Sequence, residues 1–330
     1  MAEVDLHAAL EAERALSQGN PRRLLERRTA PLTIENGRLF GPNWDESYVD
    51  IQSVVTPEAF NRLVASGKLV FEDSTPTAFA ARIHGTDYLL ISAGLIELIG
   101  FCSYHVTVCG RAALQIGENL NELEDHFFEI VVNFVEHNWP LMEDVEATCL
   151  NTYKTMVINR DCIVLFVLLH ELGHIACGHL DGNWLGMRDF SSLVPDLDTP
   201  SHAREIEADR FACDAIVNGH VLYLASTFLS AWTKVQVSRR VRHGEGAQLS
   251  VTHPLAVNRL HRISVLLRER QDPNSAGDAR GLEADLKRCA EMMSQPEWFG
   301  FHAVEYSLLD GRARHDALLA RYSAITGPFR

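Results

Sequence analysis

Residues 159–182 read Asn-Arg-Asp-Cys-Ile-Val-Leu-Phe-Val-Leu-Leu-His-Glu-Leu-Gly-His-Ile-Ala-Cys-Gly-His-Leu-Asp-Gly. The first half is a continuous apolar run that is long enough for a buried helix but shorter than the about 20 residues that a membrane span needs. Asn159 or Asp161 is suited to cap the start of this helix, and Gly182 stands where a left-handed residue would end it. The stretch therefore predicts a core helix.

The pattern His-Glu-x-x-His lies inside this predicted helix, at positions 170–174. Residues four apart are separated by about 40° around a helix axis, so His170 and His174 project from one face and can bind one zinc ion. Glu171 lies roughly 100° round from His170, where a carboxylate can accept a proton from a zinc-bound water. This is the general-base position of a zinc peptidase. The alternative is that the three side chains are satisfied by hydrogen bonds in the core.

A peptidase zinc site takes three protein ligands, so one more is required. His179 follows His174 by five residues, and a continuing helix would place it roughly 140° away on another face, which argues against it. Glu205 and Asp209 lie one turn apart on one face of a later helix, so one carboxylate can reach the metal while the other holds a ligand histidine. The alternative for this pair is an acidic helix start that complements the helix dipole. Glu207 is predicted to face solvent.

The N-terminal part of the chain has the patterns of short strands. Asn-Gly at 36–37, between two short extended stretches, is typical of a type I′ hairpin turn. From residue 76 the pattern predicts a strand, a turn and a second strand at 88–92 that leads into a helix. Tyr88, Leu90 and Ser92 in this second strand are predicted to form a sheet edge to which an extended substrate adds as a further strand.

The charge and composition narrow the class of partner. The formal net charge is −14 over 330 residues, which argues against nucleic acid or an anionic membrane as partner and is more compatible with a protein or peptide substrate. The first residues lack the pattern of a secretory signal, and seven cysteines without Cys-x-x-Cys pairs fit reduced thiols, so a cytoplasmic location is expected. The apolar stretches 88–110 and 215–232 contain polar or ionisable residues, and we interpret them as buried elements rather than membrane spans.

Four motifs together resemble the gluzincin peptidases of the HtpX, BepA and CAAX prenyl endopeptidase type. In chain order they are Thr-Ala-Phe-Ala at 77–80 with the strand 88–92, His-Glu-Leu-Gly-His at 170–174, Glu-x-Glu-Ala-Asp-Arg-Phe-Ala at 205–212, and Thr-His-Pro at 252–254 with Arg259. The resemblance spans about residues 76–265, although residues 101–160 are much longer than the connection common in that family. The soluble Lit-like phage-exclusion peptidases are a second resemblance.

The resemblance implies specific roles at the matching positions. It makes Glu205 the third ligand of one Zn²⁺ per chain, with Asp209 holding a ligand histidine. It also places His253 at the active-site cleft, where this side chain is expected to donate a hydrogen bond to the oxyanion formed on the scissile carbonyl. The alternative for His253 is a capping or packing histidine at a helix start.

The predicted fold is α+β: a mostly helical, zincin-like metallopeptidase core with a small N-terminal β-sheet whose edge strand borders the active-site cleft. Residues 1–75 are predicted to form an N-terminal helix and hairpin region, residues 76–270 the peptidase core with a helical insertion at 101–158, and residues 271–330 a helical extension. The predicted function is zinc-dependent endopeptidase activity on a protein substrate. The alternative is a zinc-stabilised binding or sensor protein of the same fold that does not cleave, for example a regulatory or phage-defence component.

Overall fold

The computed structural model describes residues 29–42, 44, 46–74, 76–83, 86–115, 120–137, 139, 141, 150–180, 200–219, 221–229, 231–232, 256–269 and 311–326. Two sequence predictions lie outside these residues, the helix within residues 1–28 and the cleft position of His253. The predicted helix end at Gly182 is wrong, because the helix that carries His170 ends at Ala176.

The described residues include six strands in two sheets. The strands are β1 (Thr29–Pro31), β2 (Thr33–Glu35), β3 (Arg38–Phe40), β4 (Gly67–Phe71), β5 (Ala78–Ile83) and β6 (Thr86–Ser92). β2 and β3 form the predicted hairpin, because Asn36 and Gly37 have φ values of 50° and 78°, the two positive values that a type I′ turn requires. The other four strands form one mixed sheet in the order β1-β4-β6-β5.

β6 is an interior strand of this sheet, so the prediction that Tyr88, Leu90 and Ser92 lie on an edge is wrong. β6 pairs in parallel with β4 and antiparallel with β5. Its backbone N–H and C=O groups are therefore used on both sides, and an extended peptide cannot add to it. Residues 88–92 are all buried, as expected for a strand covered on both faces. The edges of the sheet are β1 and β5.

Helices make up most of the structure that is described. The helices with assigned bounds are α1 (Ile51–Val54), α2 (Pro57–Ala65), α3 (Ala93–Gln115), α4 (Leu120–His137), α5 (Leu150–Ala176), α6 (Pro200–Ala215), α7 (Ala256–Glu269) and α8 (Gly311–Thr326). The predicted helical insertion at 101–158 contains α3 from residue 101 onward, all of α4 and the start of α5. Within the described ranges, no helix has the length and apolar character that crossing a membrane requires.

α5, the helix that carries the His-Glu-x-x-His pattern, begins at Leu150, nine residues before the earlier of the two predicted caps. Asn159 and Asp161 lie inside the helix because each has a partner elsewhere in the fold. The Asn159 amide donates to Thr107 Oγ1 at 3.1 Å. The Asp161 carboxylate accepts from Ser47 Oγ at 2.9 Å and from the backbone N–H of Tyr48 at 3.0 Å. These tertiary contacts satisfy side chains that would otherwise favour a cap.

The C-terminal end of α5 is a Schellman motif centred on Gly178. The backbone N–H of His179 donates to the carbonyl of His174 at 2.8 Å, and that of Gly178 donates to the carbonyl of Ile175 at 3.1 Å. Gly178 has a φ of 72°, the left-handed conformation that this motif requires. The helix therefore stops at Ala176 and turns back on itself.

α5 lies at the centre of the fold. Every residue from Asp161 to Ile175 is buried, and the helix packs against α3, α6, β5 and β6. One hydrophobic core contains side chains from all three predicted regions, including Leu39, Leu168 and Tyr322. The structure confirms an α+β fold that is mostly helical and has a small mixed sheet.

Candidate metal centre

α5 and α6 make a close backbone contact at Gly173, the glycine of His-Glu-Leu-Gly-His. A Cβ atom at Gly173 would lie 2.8 Å from Ala208 Cα and 2.9 Å from the Ala208 carbonyl oxygen. Backbone atoms cannot rotate away, so a glycine is required at this contact. The contact places the carboxylates of Glu205 and Asp209, on α6, beside the histidines of α5.

We expect Gly173→Ala to separate α5 from α6 and to lower the free energy of unfolding by about 1–3 kcal/mol, as for other overpacked cores. The displacement should also move Glu205 from the histidines and weaken binding of any metal ion held there. Denaturant unfolding and competition with a chromogenic chelator measure the two effects.

Gly100→Ala is the matched control for this prediction. A Cβ at Gly100, which lies within α3, meets no atom within 4 Å. This substitution should leave metal affinity unchanged and raise stability by about 0.5–1 kcal/mol. Equal stability of the Gly173→Ala and unmodified proteins would contradict the close approach.

Three buried donor groups converge between α5 and α6. His170 Nε2 lies 3.2 Å from Glu205 Oε2, His174 Nε2 lies 3.4 Å from Glu205 Oε1, and the two Nε2 atoms are 3.3 Å apart. A tetrahedral zinc ion with bonds of about 2.0–2.1 Å holds its ligand atoms roughly 3.3–3.4 Å apart. The three separations are of this size, although the two histidines approach different oxygens of the Glu205 carboxylate, and two imidazoles with one carboxylate are a donor set that fits zinc.

Asp209 and Arg259 hold the other side of the His170 ring. His170 Nδ1 donates to Asp209 Oδ1 at 2.9 Å, which leaves the lone pair of Nε2 directed toward Glu205. Arg259, on α7, donates from Nε to Asp209 Oδ2 at 2.7 Å and from Nη2 to Asp209 Oδ1 at 2.6 Å. Burial alone would raise the pKa of Asp209, but the Arg259 guanidinium and the His170 hydrogen bond lower it to about 2. Asp209 is therefore an anion that fixes the tautomer of His170.

Buried carboxyl groups outnumber buried guanidinium groups here among the described residues. Glu171, Glu205 and Asp209 each carry a buried carboxyl group, and Arg259 is the buried guanidinium beside them. A carboxylate in a protein interior requires a cationic or hydrogen-bonding partner. Burial and Arg259 lower the pKa of His170, but hydrogen bonds to Asp209 and Glu205 outweigh them and raise it to about 9. The surroundings that favour a proton on His170 also favour a divalent cation.

His179 and Glu207, which the sequence reasoning set aside, orient the second histidine. His179 Nδ1 lies 3.0 Å from His174 Nδ1, and His179 Nε2 donates to Glu207 Oε2 at 2.9 Å. Burial lowers the pKa of His179 and Glu207 partly offsets this, so the neutral ring dominates near pH 7. The prediction for His179 assumed that α5 continues, whereas the turn at Gly178 brings this ring back over His174. The glycine in Cys-Gly-His, directly after the helix, is the residue in the sequence that indicates this turn.

The other predicted site residues are placed as follows. Glu171 is buried on α5 next to His170. Tyr88 and Leu90 pack in a separate cluster with Phe71. The Ser92 hydroxyl accepts backbone N–H bonds from Thr77 and Leu95 at 2.9 and 3.1 Å; these contacts give no role in substrate binding.

Comparison with protein-family models, with curated proteins and with solved structures gives no match for this chain.

Proposed function

We propose that this chain is a zinc-dependent endopeptidase of the gluzincin type. The observation that carries the proposal is the spacing of His170 Nε2, His174 Nε2 and the Glu205 carboxylate, which lie 3.2–3.4 Å apart. The excess of buried carboxyl groups around these atoms supports a divalent cation. Glu171, one position from a proposed ligand, supports hydrolysis in particular, because a purely structural zinc site needs no base.

A zinc ion held by these ligands would supply Lewis acidity, which lowers the pKa of water and polarises a carbonyl group. Glu171 accepts the proton of the attacking water and passes it to the leaving amine. Asp209, held by Arg259, keeps the proton of His170 on Nδ1. His179 does the same for His174. His253 remains a predicted donor to the oxyanion.

The proposed substrate is a protein or peptide segment that binds in extended form along β5. β5 replaces the strand predicted from the sequence, because it is an edge of the sheet and packs against α5, the helix that carries the proposed base. A peptide added to β5 would be held by main-chain hydrogen bonds, which give affinity with little sequence selectivity. We place this activity in the cytoplasm.

Detection of new amino termini tests the proposal. Metal-stripped protein, alone or reloaded with one equivalent of Zn²⁺, is incubated with a mixture of unfolded proteins, and new termini are labelled and identified by mass spectrometry. We expect cleavage only with zinc. Failure of the fully loaded protein to cleave any member of the mixture would favour the zinc-stabilised binding or sensor protein.

Glu205→Gln should lose both zinc, measured by elemental analysis, and cleavage, because a neutral amide is a poor zinc ligand. Asp214→Asn is the matched control on the same helix, where the Asp214 side chain is 63% exposed. It should keep both properties. Full zinc content in Glu205→Gln would remove Glu205 from the ligand set.

A further inference from the structure

A second group of metal-ligating side chains lies beside the first, on the solvent side of His174. Cys177 Sγ, a ring nitrogen of His179 and a Glu207 carboxylate oxygen all lie within 4.8 Å of one another, and His179 Nε2 is the nitrogen that faces Glu207, 2.9 Å from Oε2. A thiolate, an imidazole and a carboxylate are the three ligand types that zinc takes in proteins. None of the three is among the atoms that converge on Glu205.

The Schellman turn fixes two of these ligands relative to each other. The Cys177 N–H donates to the Gly173 carbonyl at 2.9 Å, and the His179 N–H donates to the His174 carbonyl at 2.8 Å, with Gly178 between them at a φ of 72°. Little ordering of the backbone is therefore needed for both side chains to hold one ion.

Two members of this group are open to solvent, and the third is buried. Cys177 is exposed, whereas Cys102, Cys162 and Cys213 are buried. The Glu207 side chain is 59% exposed, and the His179 side chain between them is 7% exposed.

We propose that Cys177, His179 and Glu207 form a second Zn²⁺ site that opposes metal binding at the first. The opposition rests on the proposed function, since it requires metal on His174. Binding at the second site releases the Cys177 thiol proton to solvent, while the His179 proton passes from Nε2 to Nδ1 of the same ring. The second site is then an inhibitory one, filled when zinc is in excess.

The opposition between the two metal sites follows from which ring nitrogen of His174 and of His179 carries the proton. When His174 Nε2 holds a metal, the neutral ring carries its proton on Nδ1, which donates to His179 Nδ1 across 3.0 Å. His179 then carries its own proton on Nε2, where Glu207 accepts it at 2.9 Å. A metal on His179 Nε2 moves that proton to Nδ1, so that two N–H groups face each other. Metal ions at both sites therefore break the hydrogen bond between His174 and His179 that orients the His174 ring. Each ion weakens the binding of the other by the same factor.

Titration of the metal-stripped full-length protein with Co²⁺ tests the second site. Thiolate ligands give cobalt an intense near-ultraviolet charge-transfer band that imidazole and carboxylate ligands do not give. We expect two Co²⁺ per chain, the first without this band and the second with it. Cys177→Ser should lose the band and one ion, Glu207→Gln should weaken the second phase, and Asp214→Asn should match the unmodified protein.

Glu205→Gln isolates the coupling, because it removes the first ion. The band should then reach half-saturation at a Co²⁺ concentration lower by a factor of about 5–150, the usual range of coupling between sites. No band at any Co²⁺ concentration, or a band that survives Cys177→Ser, would overturn the second site. Equal half-saturation with and without Glu205 would overturn the opposition. A single ion per chain that gives the band would refute the peptidase site and support the second site.

Discussion

Glu171→Gln should leave the fold and metal binding intact and reduce peptide hydrolysis by a factor of about 10²–10⁴, the usual contribution of a general base. Glutamine has nearly the volume of glutamate, so the buried position next to His170 stays filled. The amide, however, cannot take up the proton that the attacking water gives up. The loss should appear in kcat, because the carboxylate acts in the transition state rather than in substrate binding.

The measurement compares kcat and KM on a fluorogenic peptide with zinc content from the same preparation. Glu97→Gln is a suitable control, because Glu97 is an exposed glutamate on α3 that takes no part in the proposed site. It should keep the turnover of the unmodified protein. Wild-type turnover in zinc-loaded Glu171→Gln would remove Glu171 as the base.

Arg259→Ala should lower the free energy of unfolding by about 3–5 kcal/mol, because it leaves the Asp209 carboxylate buried without its counter-ion. Arg259 Nε and Nη2 both donate to this carboxylate, and both side chains are 6% exposed. Arg259→Lys should recover only part of the loss, since an ammonium group cannot reproduce the two-pronged contact. α7 should lose its attachment to α6 in the alanine variant.

Urea unfolding of metal-stripped protein is the appropriate measurement, because bound metal would add its own stabilisation. A double-mutant cycle with Asp209→Ala should show strong coupling, with the double variant less destabilised than the two single changes together. The exposed pair of Arg312 and Asp316, 3.0 Å apart, is the control. Arg312→Ala should change stability by less than about 0.5 kcal/mol. A similarly small change in Arg259→Ala would show that the buried pair does not hold α7 in place.

Features of the fold that depend on a few adjacent residues could be predicted from the sequence. The hairpin follows from Asn36 and Gly37, because these two residue types readily adopt the positive φ values of a type I′ turn. The helical position of the His-Glu-x-x-His pattern follows from its flanking apolar run. The start of α5 could not be predicted in this way, because Asn159 and Asp161 have the chemistry of caps. Only the fold supplies the partners, such as Thr107, that allow them to lie inside a helix.

Two predictions that affect the site are wrong, for different reasons. Both Gly178 and Gly182 can end a helix, and the choice of Gly182 implied a continuing helix that places His179 on a different face from His174. The sheet order is set by the parallel pairing of β4 with β6, between segments that are about twenty residues apart in the chain. The continuous apolar run from Tyr88 to Ile91 was nevertheless a local indication of an interior strand.

The contact of Gly173 with Ala208 bears on when the chain can acquire its proposed metal. In small zinc domains the ion holds the ligands together, so that the peptide folds only as the metal arrives. Here the backbones of α5 and α6 touch directly, and the arginine on α7 fixes Asp209 without help from a metal. Folding and metal loading are then separate events. If the proposed function holds, a newly made chain completes its fold before it binds zinc, and the supply of zinc sets the moment at which the proposed activity begins.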